Sequence, residues 1–169
     1  MSCTISTART EPCKDKIGGI KRVWFSTFSD TIAWDTTTPG TIAIDSAGTI
    51  AGTQYDVRMA SGLTNTITSS RENGTTFVTQ SLTLQLKGLT ATDEAEILAL
   101  SRGRWIVVIE DNNGSGWVIG REYGADVTTG TAQTGTALGD LYGYTITIEG
   151  MERELPLYNS DPSTFVTAP

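Results

Sequence analysis

The chain has 169 residues, a formal charge of −7 from 12 Lys and Arg against 19 Asp and Glu, and no histidine. The acidic balance argues against tight nucleic-acid binding, which depends on basic side chains neutralising phosphates and releasing counterions. Without His, Ser-His-Asp and Cys-His chemistry, the common zinc-hydrolase ligand sets and the usual neutral-pH proton shuttle all fall away. The expectation is a protein that is not an enzyme and uses no cofactor or metal.

A chain of this length fits one domain and can bury about 70% of the surface its unfolded form exposes. The longest apolar run, Trp105 to Ile109, is far short of the ~20 residues that span a bilayer, and no secretory pattern opens the chain, so no membrane partner is expected. There are 29 Thr, 13 Ser and 18 Gly. Thr is β-branched and suits a pleated, half-solvated surface, so strand and turn should dominate. Cys3 and Cys13 have neither zinc nor CxxC spacing, and the composition leaves their pairing open.

Residues 1–16 lack periodicity and read as an N-terminal arm that a partner would order, ahead of a β domain over 17–154. "IKRVWFSTF" (Ile20 to Phe28) is apolar on both faces, as in a strand covered on two sides. Short strands or a structured loop fit 29–52 equally well. Next comes a hairpin, Leu63 to Ser70 and Thr76 to Leu86, around the turn Arg71-Glu72-Asn73-Gly74. Val78, Gln80, Leu82, Leu84 and Leu86 share one face of its second strand. Its Thr-rich tip would be poorly stabilised alone in water, so Thr66, Thr68, Asn73, Gly74, Phe77 and Val78 are expected to contact another subunit.

The one helix predicted is "TATDEAEILALSRGR", capped by Thr92 or Asp93, with Asp93 and Glu96 at capping-box spacing and an apolar stripe of Ala91, Ala95, Ile97 and Leu98 laid on a sheet. "RWIVVIEDNNGSGWVIGREY" is the strongest hairpin signal, with a central first strand and, at Gly120, a bulge or close backbone contact. The Gly- and Thr-rich stretch 124–139 reads as a long loop or edge ribbon. A last strand alternates Tyr142, Tyr144, Ile146 and Ile148 against Thr145, Thr147 and Glu149, and the Pro-bearing segment 155–169 reads as a C-terminal arm.

Motif tests exclude more than they offer. Gly130 to Gly135 has phosphate-loop spacing but Thr136 and Ala137 stand where Lys and Ser/Thr are needed. Gly114, Gly116 and Gly120 miss dinucleotide spacing and sit in a hairpin. The acidic groups Glu110-Asp111 and Glu149, Glu152, Glu154 read as solvated strand faces or strand ends rather than catalytic pairs or calcium ligands. Trp24 and Trp105 belong in a core, whereas Trp34 and Trp117 are open candidates for a sugar-stacking platform.

From Leu86 to Leu157 the order is an acidic-start helix, "GRWIVVIEDNNGSGWVIGREYG", then "TTGTAQTGTALGDLYGYTITIEGMERELP". This resembles the bacteriophage tail-tube family, through Asn113, Gly114, Trp117, Gly120, Gly124, Thr134, Gly135, Asp140, Gly143, Tyr144, Gly150 and Glu152. The resemblance covers under half the chain. It implies a mainly β, α+β fold, a β-sandwich or barrel with one flanking helix, a long hairpin and extended arms. It assigns Asn113, Gly114, Trp117, Gly120, Gly135, Gly143 and Tyr144 to fold and turns rather than to catalysis. It also implies stacked, hexameric rings in the virion tail, made in the host bacterial cytoplasm, with the chain itself and other tail proteins as partners. DNA would pass through the lumen without specific binding, past carboxylates and hydroxyls that repel its phosphates. The alternative from a different class is a virion-surface or secreted carbohydrate- or receptor-binding β-sandwich using Trp34 or Trp117; a hydrolase working through Asp and Glu alone is the weaker third.

Overall fold

The computed structural model describes residues 8–11, 13–35, 43–44, 50–57, 60–159, 162 and 166–167. In chain order the elements are β1 (Ile20–Thr27), β2 (Trp34–Asp35), β3 (Ala43–Ile44), β4 (Ile50–Ala51), β5 (Thr53–Asp56), β6 (Gly62–Ser70), β7 (Thr75–Lys87), α1 (Ala91–Arg102), β8 (Trp105–Asp111), β9 (Gly116–Ile119), β10 (Ala125–Gln133), β11 (Gly143–Glu152), β12 (Leu157–Asn159) and β13 (Val166–Thr167). Strands account for 51% of the structure, so the fold is mainly β with one helix among the described residues, as the Thr-rich composition predicts.

Nine strands form one antiparallel sheet that does not close into a barrel. Its pivot is β8. Along one edge β8 pairs with β1, which in turn pairs with β5. Along the other it pairs with β9 and then, after a turn, with the first residue of β10 through Ala125 and Trp105. From that point β10 leaves β8 and continues into the order β10-β11-β7-β6. The sheet is therefore two halves, β5-β1-β8-β9-β12 and β10-β11-β7-β6, joined at a single residue pair. β2 pairs with β3, and β13 with β4, outside this sheet.

Both halves turn one face to a common core. Val23, Phe25, Val107, Ile109 and Ile119 come from the first half and Leu82, Leu84, Ile146 and Ile148 from the second. The intervening residues Trp24, Ile106, Val108 and Val118 form a second cluster with Val166, flanked by Phe28, Ile32 and Trp34. That is why Val23 to Phe25 of β1 and Trp105 to Ile109 of β8 are unbroken apolar runs: each is covered on two sides. Trp24 is buried, and Trp105 is half-buried with its indole Nε1 donating to the Leu100 carbonyl at 2.7 Å.

Two expectations require revision, and for 124–139 the edge ribbon holds over the long loop. The helix starts earlier than predicted: Thr90 is its N-cap, with Oγ1 accepting from the Asp93 N–H at 3.1 Å, so Thr92 and Asp93 lie inside it. Its packing face is also different, because Trp105 tucks under the last turn and fixes which side meets the core. Leu100 is buried and Ile97 packs beside it, whereas Ala91 and Ala95 are exposed and Leu98 is 51% exposed. The Gly- and Thr-rich 124–139 is a regular strand over its first part, since β10 borrows order from the apolar β11 across eight registered pairs.

The described part of 155–169 lies back on its own body: Leu157–Asn159 extend the sheet beside β9, and Val166 closes the second cluster. At the other terminus, Ile17 and Gly18 are held by the β8–β9 turn. Asn113 donates to the Ile17 carbonyl at 2.7 Å and accepts from its N–H at 3.0 Å, and Asn112 donates to the Gly18 carbonyl at 2.8 Å.

Gly143 is where the second half is tightest. A Cβ there would stand 2.0 Å from the Leu86 carbonyl oxygen of the paired strand. Gly143→Ala should therefore cost about 1–3 kcal/mol, the usual range for forced overpacking, read as a lower urea midpoint with unchanged slope; an unaltered midpoint would contradict this packing.

Candidate assembly surface

The second half-sheet has one face on the core and one face open. On β7, Val78, Gln80, Leu82 and Leu84 point inward and are buried. Strand alternation then sends Thr79, Ser81 and Thr83 outward, beside Thr64, Thr66 and Thr68 of β6 and Thr145 and Thr147 of β11. Past a bulge between Val127 and Thr129, β10 adds Thr129 and Thr131 to the same side. All of these are exposed or half-exposed. Within the four strands this hydroxyl face carries Asp126 and Glu149, registered directly opposite one another, and Lys87 at the far end, while Arg153, just past β11, lines the same hollow as the two carboxylates. The Ser81 hydroxyl donates to Glu149 at 3.4 Å.

Both margins of this half-sheet are open. Among the described residues β6 pairs only with β7, and β10 beyond Ala125 pairs only with β11. Nine residues of β6 and eight of β10 thus carry rows of backbone donors and acceptors with no sheet partner. Such edges are templates for pairing with another chain.

The hairpin predicted from sequence is β6 and β7, registered from Gly62 opposite Thr83 to Ser70 opposite Thr75. Thr66 and Thr68 lie on the open face; the Asn73 N–H donates to Ser70 Oγ at 3.3 Å, and Gly74 has φ +62° as the turn requires. Phe77 is 37% exposed and Ile67 is 59% exposed. Val78 was expected to face another subunit, and the structure corrects this. It is 3% exposed, because it is the last inward residue of β7 over the domain's own core.

Of the turn and fold residues, Gly120 lies at the junction of the two halves, and the others are spread along the sheet. Gly114 closes the β8–β9 turn at φ +80°, and Asp111 Oδ1 accepts from the N–H groups of Asn113 and Ser115. Gly120, at φ +71°, is a close backbone approach: a Cβ would meet Trp105 O and Ala125 N at 2.7 Å. Trp117 packs beside the main core, Gly135 lies against Asp140 in the β10–β11 loop, and Tyr144 is buried opposite Leu86.

Two polar side chains to which the sequence gives no bracing role tie this junction together. Gln80, 1% exposed, accepts from the Gly120 N–H at 3.2 Å and donates to the Glu154 carbonyl at 3.4 Å. Glu152, 4% exposed, accepts from the N–H groups of Glu122 and Tyr123. The reading of Glu110 and Glu152 as solvated carboxylates is thereby overturned. Glu110 is 6% exposed and forms ion pairs with Lys21 at 3.1 Å and Arg22 at 2.6 Å, so both carboxylates are structural clamps that β-strand alternation turns inward.

Among the described residues no group of three or more His, Cys, Asp or Glu could hold a metal ion, and no helix is long and apolar enough to cross a membrane. Trp34 and Trp117 are both half-buried against the two cores. Cys13 is exposed, and Cys3 lies outside the described residues. No family model, curated protein or solved structure matches the chain.

Burial pushes the Glu152 carboxyl above its ordinary value, against the opposing pull of its two backbone donors. Asp140 is held below its ordinary value by the N–H groups of Ala137 and Thr136 and the Thr136 hydroxyl. The signs are opposite. The contribution of Glu152 is present below its unfolded pKa and lost as pH rises through the raised one; that of Asp140 is present above its unfolded pKa and lost as pH falls through the depressed one. Urea unfolding should show the advantage of wild type over Glu152→Gln shrinking as pH rises above the ordinary Glu value, and its advantage over Asp140→Asn shrinking as pH falls below the ordinary Asp value; reversed slopes would contradict these environments.

Proposed function

We propose that this protein is the structural subunit of a hollow tube, a bacteriophage tail tube, in which the half-sheets of neighbouring subunits join edge to edge as the wall of the lumen. The observation that carries the reading is the half-sheet β10-β11-β7-β6, with open edges of nine residues on β6 and eight on β10 and one face already covered by its own domain.

The strand directions suit a ring. The four strands alternate, so β6 and β10 run oppositely. Rotation about a ring axis preserves direction along that axis, so β6 of one subunit meets β10 of the next antiparallel, continuing the pattern within each subunit. This is a heterologous contact, which repeats until the ring closes and leaves no edge. Since the core face is occupied, the hydroxyl face lines the lumen. Asp126 and Glu149 stand against Lys87 and Arg153, and hydroxyls line the rest, so DNA meets few basic contacts and keeps moving rather than binding.

Six subunits, the number the resemblance implies, would give a 24-stranded wall. At about 4.8 Å per strand and a tilt of about 35°, its diameter between backbones is about 45 Å, wide enough for a DNA duplex. Rings stacked by further heterologous contacts, with other tail proteins at the ends, make a filament rather than a closed particle. The carbohydrate-binding alternative has less support, because Trp34 and Trp117 are packed against cores rather than presented as a platform.

Negative-stain microscopy of the purified chain is expected to show stacked rings or hollow tubes. Deleting the β6–β7 tip around Asn73 should remove the tubes while circular dichroism and the unfolding midpoint show a folded domain. A monomer that stays dispersed under all conditions, including with tail initiator proteins added, would overturn the proposal.

A further inference from the structure

The half-sheet is slanted, and the slant specifies how neighbouring subunits meet. Its registers place Gln133, the last residue of β10, level with Gly143, whereas Gly62, the first residue of β6, is level through Thr83 with Thr147. The lower end of β6 thus stands four residues above the lower end of β10. At the upper end Ala125 is level with Gln80 through Gly150, while Ser70 is level with Thr75, five residues further along β7. The four strands outline a parallelogram.

We infer that β6 pairs with β10 of the next subunit at an offset of four residues, setting Thr66 opposite Thr129, Ile67 opposite Val127 and Thr68 opposite Asp126. The inference rests on the ring reading above and adds the register, which that reading leaves free.

Three constraints converge on it. Odd offsets are excluded because they would turn hydroxyl residues of one subunit onto the core side of its neighbour. Ala125 already pairs with Trp105, so the free levels of β10 run from Asp126 to Gln133. An offset of two leaves the lower end hanging past Gly62, whereas four and six both cover every free level, and six would slope at about 46°, steeper than barrel strands usually run. The third constraint is closure. Four residues at about 3.3 Å, set against four strand spacings of about 4.8 Å, slope at about 35°, within the tilt that closed barrels adopt; level pairing would give untilted strands.

The same register finds partners for groups the isolated subunit leaves wanting. Ile67, 59% exposed on the core side of β6, meets Val127 of the next subunit. Asn65, whose Oδ1 is buried without a hydrogen bond, lies opposite Gly130, where nothing stands within 4 Å of a Cβ position. The Thr68 hydroxyl comes beside the Asp126 carboxylate, which within its own subunit is registered opposite the like charge of Glu149.

Paired cysteines read the register directly. In a Cys3→Ser, Cys13→Ser background, Thr66→Cys with Thr129→Cys reports an offset of four, with Asp126→Cys an offset of two, and with Thr131→Cys an offset of six. Directly opposed positions lie within disulfide reach, whereas the diagonal neighbours, about 7–8 Å apart, do not. Oxidised assemblies of the first pair should run as a ladder of covalent multimers on denaturing gels, with the other two pairs remaining monomeric. Tubes seen by microscopy in the same samples without that ladder, or with a ladder from another pair, overturn the register while the tube stands. Absence of tubes in the wild type and every variant overturns both.

Discussion

Backbone hydrogen bonding along β6 and β10 is the constraint from which the rest of this structure takes its meaning. A strand must satisfy its N–H and C=O groups on both sides or leave a row of them to water, and long exposed rows recruit other chains. The domain spends its apolar residues on β1, β8 and β9, which are covered on both faces, and on one face of β7 and β11. It keeps Thr and Ser for the other face of the second half-sheet and leaves both margins open. That distribution is what the proposed ring subunit would require.

The junction that makes the arrangement possible is small. β8 gives its edge first to β9 and then, across the Gly120–Gly124 turn, to Ala125 alone. Gly120 allows the close approach of the two backbones there, and the buried amide of Gln80 and carboxylate of Glu152 tie the turn to the second half-sheet. The angle between the half carrying the two cores and the half carrying the open edges is thus set by hydrogen bonds rather than by apolar contact alone. In a tube wall, that angle fixes where the body sits outside the lumen.

Much of the strand layout was legible because period-two patterns and turn residues are local signals. The β8–β9 hairpin was announced by Asn113-Gly114, the β6–β7 hairpin by Asn73-Gly74, and the central position of β8 by its unbroken apolar run. Less legible was anything decided across the sheet. β10 has too many Gly and Thr to declare itself, and becomes a strand through its pairs with β11. The helix face was misjudged because Trp105, beyond the helix, selects Leu100 over Leu98. Gln80 and Glu152 look like surface residues in sequence and are buried only because the other half-sheet arrives over them. The slant of the half-sheet is a property of registers and has no sequence signature at all.

The central claim is that the two open edges find each other. Hydrogen–deuterium exchange with peptide-level mass spectrometry, comparing dispersed subunits with assembled tubes, reads that claim at the backbone groups concerned. The account predicts strong new protection in 62–70 and 126–133 on assembly, with little change in the already paired β8 and in the solvent side of α1. Assembled tubes in which both segments exchange as fast as in the free subunit would contradict it.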